Sequence, residues 1–290
     1  MNSMYKKIIV IVLVIIFAYL LINPNASYER IDIVGSTSVQ PVAEKLADNF
    51  TKIKQGLNQD LRINVQGGGS GMGIRSVDQG ITDIGMSSKE LASDEKDNIT
   101  EIEIGKEGIV VAVNNKNPIS DLTIEEIRNI FNGNIKNWKD VGESSSFSNS
   151  NNANGPNNGL NLDIHVITRE EGSGTRSAFE DIVMDNTKIR KDAIVQSSTE
   201  SVKQSVSSDP GAIGFVSFAH MSDDVKALNI EGISPTEITI ASGDYELQRP
   251  FLFLIKGTIE NQSEIVQEFL KWIKSPEGTK IIEDEKIIPI

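Results

Sequence analysis

An α/β chain folded into two lobes, with a ligand cleft between them, is the architecture this sequence predicts. Three observations predict it. Strand-like and helix-like stretches alternate from about residue 30 onward, the pattern of α/β layers around a mainly parallel sheet. Three Gly/Ser/Thr clusters each stand just ahead of a helix-like stretch: Gly35-Ser36-Thr37-Ser38, the glycine-rich run 67–73, and Arg169-Glu170-Glu171-Gly172-Ser173-Gly174-Thr175. Finally, one more strand and two helices follow a complete second unit. That order suggests a chain that returns to its first lobe, so that two crossovers form a hinge and the cleft lies between the lobes.

The elements read in order as follows. Residues 30–34 form a strand leading into the first cluster, and 39–54 an amphipathic helix with Val39, Val42, Ala43, Leu46 and Phe50 on one face and Pro41 tolerated in its first turn. A second strand, 61–65, leads through the glycine-rich run into a helix ending near Gln79; a short strand, 83–85, follows and ends at Ser87-Ser88-Lys89. The run 109–113 is continuously apolar, as a strand buried on both faces would be. A second unit opens near Asn115, with a helix over 123–131 that carries a capping box, Thr123 with Glu126. Trp138 belongs to the core or to a lid. The polar, low-complexity stretch 143–159 reads as a flexible surface loop. Strand 162–168 delivers the third cluster, with helices over 173–185 and 199–207 and an apolar strand at 211–216 after it. Strand 250–255 and helices 262–273 and 276–282 close the chain. The expected divisions are therefore 28–114 for the first part of lobe 1, 115–247 for lobe 2, and 248–290 for the return.

Before all of this, Lys6 and Lys7 precede an unbroken apolar run over 8–22. The run is short against the roughly 20 residues of a relaxed span and typical of a signal-peptide core. Its exit, Asn23-Pro24-Asn25-Ala26-Ser27, lacks a small-x-small cleavage site. Residues 1–27 read as an uncleaved signal anchor in preference to a cleaved signal peptide, with everything after about residue 25 outside the cell.

Composition excludes several functions. The formal net charge is −13, from 41 acidic and 28 basic residues, which argues against a nucleic-acid partner. The chain has no cysteine, so it has no disulfide, thiolate zinc site, cysteine nucleophile or lipid-accepting cysteine. His165 and His220 are far apart in apolar runs and receive no catalytic role. The run 67–73 has no Gly-Lys-Ser/Thr, so it is not a nucleotide P-loop. Ser173 lies outside a Gly-x-Ser-x-Gly elbow, and no His- or Asp-rich spacing suggests metal ligands. No catalytic residue, cofactor or metal is expected.

What remains is anion binding. A helix start presents unpaired N–H groups and a positive dipole end; glycine admits close approach, and hydroxyls add donors. Arginine suits phosphate through two parallel charged hydrogen bonds. Strand alternation puts Glu171 on the same face as Arg169, placed to orient it or to accept a proton from a ligand.

Five segments, Gly-Ser-Thr-Ser-Val-Gln-Pro (35–41), Gln-Gly-Gly-Gly-Ser-Gly (66–71), Asp-Ile-Gly-Met-Ser-Ser (83–88), Thr-Arg-Glu-Glu-Gly-Ser-Gly-Thr (168–175) and Pro-Gly-Ala-Ile-Gly-Phe (210–215), together resemble the phosphate-binding protein of the bacterial high-affinity phosphate ABC transporter, the PstS type. The resemblance implies a type II periplasmic-binding-protein fold and capture of inorganic phosphate for permease subunits and their ATPase, by an extracytoplasmic monomer held at the membrane through its N-terminal segment. It places phosphate donors at Thr37, Ser38, Ser70, Arg169, Ser173, Gly174 and Thr175, with Glu171 as the arginine's acidic partner. Some members of the family carry a proton-accepting aspartate where this chain has Ser88. Sulfate or molybdate as ligand, a surface phosphate sensor and an extracellular phosphatase are the competing readings.

Overall fold

The computed structural model describes residues 29–142 and 161–290. The expected anchor and the expected loop 143–159 lie outside those residues. Among the described residues no helix is long and apolar enough to cross a membrane.

The chain runs β1 (Glu29–Gly35), α1 (Gln40–Gly56), β2 (Leu61–Gly67), α2 (Ser70–Asp78), β3 (Ile84–Ser87), β4 (Ile99–Asn114), β5 (Asp121–Leu122) and α3 (Ile124–Phe131). It continues through β6 (His165–Arg169), α4 (Gly174–Phe179), β7 (Ile194–Gln196), α5 (Thr199–Ser208), β8 (Ala212–Ser217), β9 (Val225–Ala227), β10 (Asn229–Ile230) and α6 (Glu237–Ser242). It ends with β11 (Gln248–Lys256), α7 (Glu264–Ile273) and α8 (Pro276–Asp284). Eight strands of a nine-stranded sheet lie in the order β2-β1-β3-β11-β4-β8-β6-β7, with β9 beside β4.

The sheet belongs to two lobes. β2, β1 and β3 are parallel, as are β8, β6 and β7. Between them, β4 and β11 run antiparallel to each other and to their outer neighbours. The sheet is thus mixed, where alternation alone predicts a mainly parallel one. The cause is topological: β4 carries the chain out of lobe 1 and β11 brings it back. β4 is also far longer than its apolar run. In its first half Ile99, Ile102 and Ile104 are buried, and Glu101, Glu103 and Lys106 interrupt the hydrophobic signal.

Each lobe has its own core. In lobe 1, α7 buries Ile265, Val266, Phe269, Leu270 and Ile273 against Ile31, Ile33, Phe251 and Phe253. Its Phe269 ring lies 5.2 Å from that of Phe50 on α1. In lobe 2, Phe131, Phe179 and Phe215 cluster at centroid distances of 4.7 and 4.3 Å, each such pair contributing about 0.5–1.5 kcal/mol beyond area burial. Trp138 is in this core, fully buried, its indole Nε1 donating to the Gly211 carbonyl at 3.0 Å. The capping box of α3 forms as the sequence predicts: Thr123 Oγ1 accepts from the Glu126 N–H, and Glu126 Oε2 accepts from the Thr123 N–H. Pro41 sits in the first turn of α1. The helix expected over 173–185 is shorter, because its second half, Glu180–Met184, opens into a π-turn that ends with Asp185 in the left-handed region.

Candidate functional site

Parallel strands deliver their following loops to one edge of a sheet, and ligands of open α/β folds bind there. Here that edge carries Gly35 at the end of β1, Gly67 at the end of β2, Ser87 at the end of β3, Arg169 at the end of β6 and Gln196 at the end of β7. Helices α1, α2, α4 and α5 start within a few residues of four of these ends. The three sequence clusters therefore converge, and a fourth joins them.

The side chains meet as two linked chains of hydroxyls. In lobe 1, Ser36 Oγ donates to Ser88 Oγ at 2.9 Å, Ser88 Oγ lies 3.4 Å from Ser70 Oγ, and the Ser88 N–H donates to Ser70 Oγ at 3.1 Å. Across the cleft, Ser38 Oγ is 3.0 Å from Thr175 Oγ1 and 2.9 Å from Thr199 Oγ1. The Ser38 N–H, donating to Ser36 Oγ at 3.3 Å, connects the two. Ser36, Ser38, Ser70, Ser88, Ser173, Thr175 and Thr199 are all buried. Seven hydroxyl residues hidden at a lobe boundary do not serve stability, since a buried polar group at best recovers its desolvation.

Arg169 crosses the same boundary. It is 2 % exposed; Nη1 donates to Thr199 Oγ1 at 3.0 Å and Nη2 to Thr37 Oγ1 at 3.2 Å. Nε and Nη2 grip the two oxygens of Glu170 at 2.9 and 2.8 Å. These bonds engage four of the five guanidinium N–H groups and leave one on Nη1. The carboxylate that orients Arg169 is thus Glu170. Glu171 is exposed and lines a surface pocket with Arg176, Glu180 and Asp181, apart from the hydroxyls. The sequence argument extends strand alternation past Arg169, but β6 stops there and the pleat with it.

Backbone geometry brings the loops close. Gly69, with φ +85°, turns the chain into α2; a Cβ there would stand 2.9 Å from the Gly172 carbonyl and 3.2 Å from Glu170 Oε1. The next glycine N–H, of Gly71, donates to that carbonyl across the cleft at 3.0 Å. Ser173 caps α4, accepting from the Arg176 N–H at 3.3 Å, and so aims the start of the helix, with Gly174 and Thr175, at lobe 1.

All the residues singled out in the sequence except Glu171 are at this junction: Thr37, Ser38, Ser70, Ser88, Arg169, Ser173, Gly174 and Thr175. Sequence reasoning missed Ser36 and Thr199. The first stands inside a quoted cluster. The second belongs to Ser197-Ser198-Thr199, a short hydroxyl run before a helix, without the glycine that marks the other three.

Behind the site, His220 closes a 3-10 turn (Phe218–His220), and its Nδ1 is buried without a hydrogen-bond partner. Burial and the nearby Arg249 push its pKa down from 6.5 to about 4. Between those values the unfolded chain binds the proton and the folded chain does not. Stability therefore falls as pH drops from about 6.5 toward 4 and levels off below, by up to about 3 kcal/mol. Urea unfolding of wild type and His220→Leu at pH 7 and pH 5 checks this: the variant should lack that part of the acid sensitivity.

Comparisons with known proteins give the family. A sequence profile described as a PBP superfamily domain matches residues 23–277. The phosphate-binding protein PstS of Bacillus subtilis is 31% identical over 265 residues, 89% of this chain and 80% of that protein. The PstS of Borreliella burgdorferi is 26% identical over 98% of this chain and 99% of its own length. Among solved structures, a phosphate ABC transporter substrate-binding protein from Clostridium perfringens, described with bound phosphate, superposes with a TM-score of 0.80 at 33% identity and covers 90% of this chain and 100% of that one. An ABC-type phosphate transport receptor from Vibrio cholerae gives 0.70 at 32% identity, with the same shares covered. With the loops of both lobes meeting at one arginine and two linked chains of hydroxyls, the chain belongs to the PstS-type phosphate-binding proteins of the PBP superfamily.

Proposed function

We infer that this protein is an extracytoplasmic solute-binding protein that captures inorganic phosphate for an ABC importer. The observation that carries the reading is the linked set of buried hydroxyls and the Arg169 guanidinium, supplied by both lobes and bonded across the cleft. The proposed ligands are Thr37, Ser38, Ser70, Ser88, Arg169, Ser173, Gly174 and Thr175, joined by Ser36 and Thr199. Glu171 stands apart, and Glu170 takes the role of holding the arginine. Hydroxyls, amides and one guanidinium suit a tetrahedral oxyanion and offer no nucleophile–base pair, which supports binding in preference to chemistry. The apolar run 8–22 supports attachment to the membrane as the means of keeping a monomeric receptor near its permease.

The net charge of −13 does not oppose capture. Exposed charges are screened beyond roughly 8 Å at physiological salt, whereas charge-assisted hydrogen bonds in the cleft act at about 3 Å and contribute about 1.5–3 kcal/mol each. Four or five of them, less ordering and closure, support micromolar affinity or tighter, about −8 kcal/mol.

A second reading, a receptor for sulfate or a similar oxyanion, draws on one feature. The carboxylate bonded to Arg169, that of Glu170, has both oxygens engaged by it, and Ser88 offers a hydroxyl, which donates as readily as it accepts. Calorimetric titration of residues 28–290 with phosphate, arsenate and sulfate at two pH values decides. Phosphate and arsenate should bind at micromolar concentration or below and sulfate much more weakly. Equal affinity for sulfate would transfer the protein to the second reading, and no binding of any of the three would remove both.

A further inference from the structure

The crossovers between the lobes hold a buried charge cluster that the phosphate site does not use. β4 leaves lobe 1 at Glu107-Gly108-Ile109, and β11 returns at Leu247-Gln248-Arg249. The two run side by side, with Glu107 opposite Arg249 and Gly108 opposite Gln248, and the Ile109 N–H donates to the Leu247 carbonyl at 2.7 Å. Both charged side chains are buried, Glu107 completely and Arg249 to 97 % (3 % exposed). Arg249 Nε and Nη2 donate to Glu107 Oε2 at 3.1 and 3.0 Å. The other oxygen, Oε1, reaches into lobe 2, where it accepts from the Ala219 N–H at 3.1 Å and from the Ser217 hydroxyl.

One carboxylate thus ties three segments together: its own crossover strand, the returning strand, and the corner where β8 enters the 3-10 turn of lobe 2. Its bonds to Ser217 and Ala219 lie where β4 passes from one lobe to the other, and a change in the inter-lobe angle there would alter their geometry. At the present angle Ser38 meets Thr175 and Thr199, Arg169 meets Thr37, and Gly71 meets Gly172. A buried ion pair is a poor source of stability compared with well-packed apolar residues, so a positional role accounts for it better than a stabilising one.

We infer that Glu107 and Arg249 are positioning residues for phosphate capture: by bonding across the hinge they favour the closed angle at which both lobes' donors reach one anion. This rests on the phosphate reading given above. The pair touches no ligand and acts only through the angle. A receptor whose closed form is less populated binds more weakly by that fraction.

The test uses the full-length chain. Because it has no cysteine, Ile81→Cys in lobe 1 and Ile238→Cys in lobe 2, at positions 69 % and 79 % exposed, give two unambiguous spin-label sites. Inter-lobe distance distributions are recorded with and without inorganic phosphate, in the labelled parent, in Ser217→Ala, and in the apolar pair Glu107→Leu/Arg249→Met, which leaves no lone buried charge. Far-UV circular dichroism and thermal unfolding verify that each is folded. The proposal expects both variants, without phosphate, to shift the distances away from those of the phosphate-bound parent, and the double variant to bind phosphate about tenfold or more weakly through faster release. Unchanged distances and unchanged affinity in a folded double variant overturn it. If that variant does not fold, Ser217→Ala, which keeps the ion pair, decides by the same distances. The distances without phosphate bear on the hinge alone, whereas a parent that binds no phosphate removes the ligand reading and leaves the distance result standing.

Discussion

Arg169→Ala is expected to weaken phosphate binding by about 2–5 kcal/mol, roughly thirtyfold or more, the usual cost of truncating one partner of a buried, hydrogen-bonded charge pair. Two losses add. The anion loses a guanidinium whose bonds close the cleft, and Thr37 and Thr199 lose the donors that orient them from lobe 2. The carboxylate of Glu170, no longer held at Nε and Nη2, then faces an incoming dianion with its full charge. The third effect is separable. Arg169→Ala/Glu170→Ala should bind more tightly than Arg169→Ala alone, because the repulsion is gone. Arg169→Lys should fall between wild type and alanine, since an ammonium keeps the charge but cannot form the fork. Glu171→Ala should leave affinity within about threefold, because that side chain is on an exposed pocket, where charge interactions are screened. Calorimetry on the five proteins checks the order. A loss at Glu171 as large as that at Arg169 would show that strand alternation, and not the Glu170 bond, describes the bound state.

Much of this was legible because it depends on local chemistry. Glycine-hydroxyl clusters ahead of helices mark strand ends on the cleft edge, since only there do helix starts and close backbone approach coincide. The capping box at Thr123 and the proline in the first turn of α1 are likewise local signals. What escaped depends on long-range placement. Thr199 becomes part of the site only because β7 pairs with β6 and carries α5 to the same edge; nothing in Ser197-Ser198-Thr199 distinguishes it from an ordinary helix cap. Glu107 is one of four charges in the first part of β4, with Glu101, Glu103 and Lys106, and nothing local sets it apart from them. Its partner is 142 positions away, so the pair is invisible until β11 lies against β4. The choice between Glu170 and Glu171 fails for a different reason: it turns on where a strand stops, which a two-residue period cannot give.

Gly174→Ala separates the closing of the cleft from the charge within it. A Cβ at this position would stand 2.3 Å from Ser70 Oγ and 2.7 Å from Ser88 Oγ, with Ser70 Cβ at 3.0 Å. All three atoms belong to lobe 1, whereas Gly174 begins a helix of lobe 2. Neither serine has room to move away. Both are fully buried, and the Ser88 N–H and the Ser36 hydroxyl hold them at 3.1 and 2.9 Å. The methyl group must therefore hold the lobes apart by a substantial part of an ångström. Misplacement of about 1 Å can cost a positioned site about a hundredfold, and that is the expected loss of phosphate affinity. The fold of lobe 2 has no reason to suffer, because Gly174 lies at the start of α4 without a positive φ and alanine favours helix by up to about 1 kcal/mol. Thermal unfolding without ligand should thus be unchanged or slightly higher. The upward shift that phosphate gives the wild type, which grows as RT ln(1 + [L]/Kd), should nearly vanish at the same phosphate concentration. Wild-type affinity in Gly174→Ala would mean that the anion is bound with the lobes farther apart than here, and that the hydroxyl contacts across the cleft belong to the empty protein.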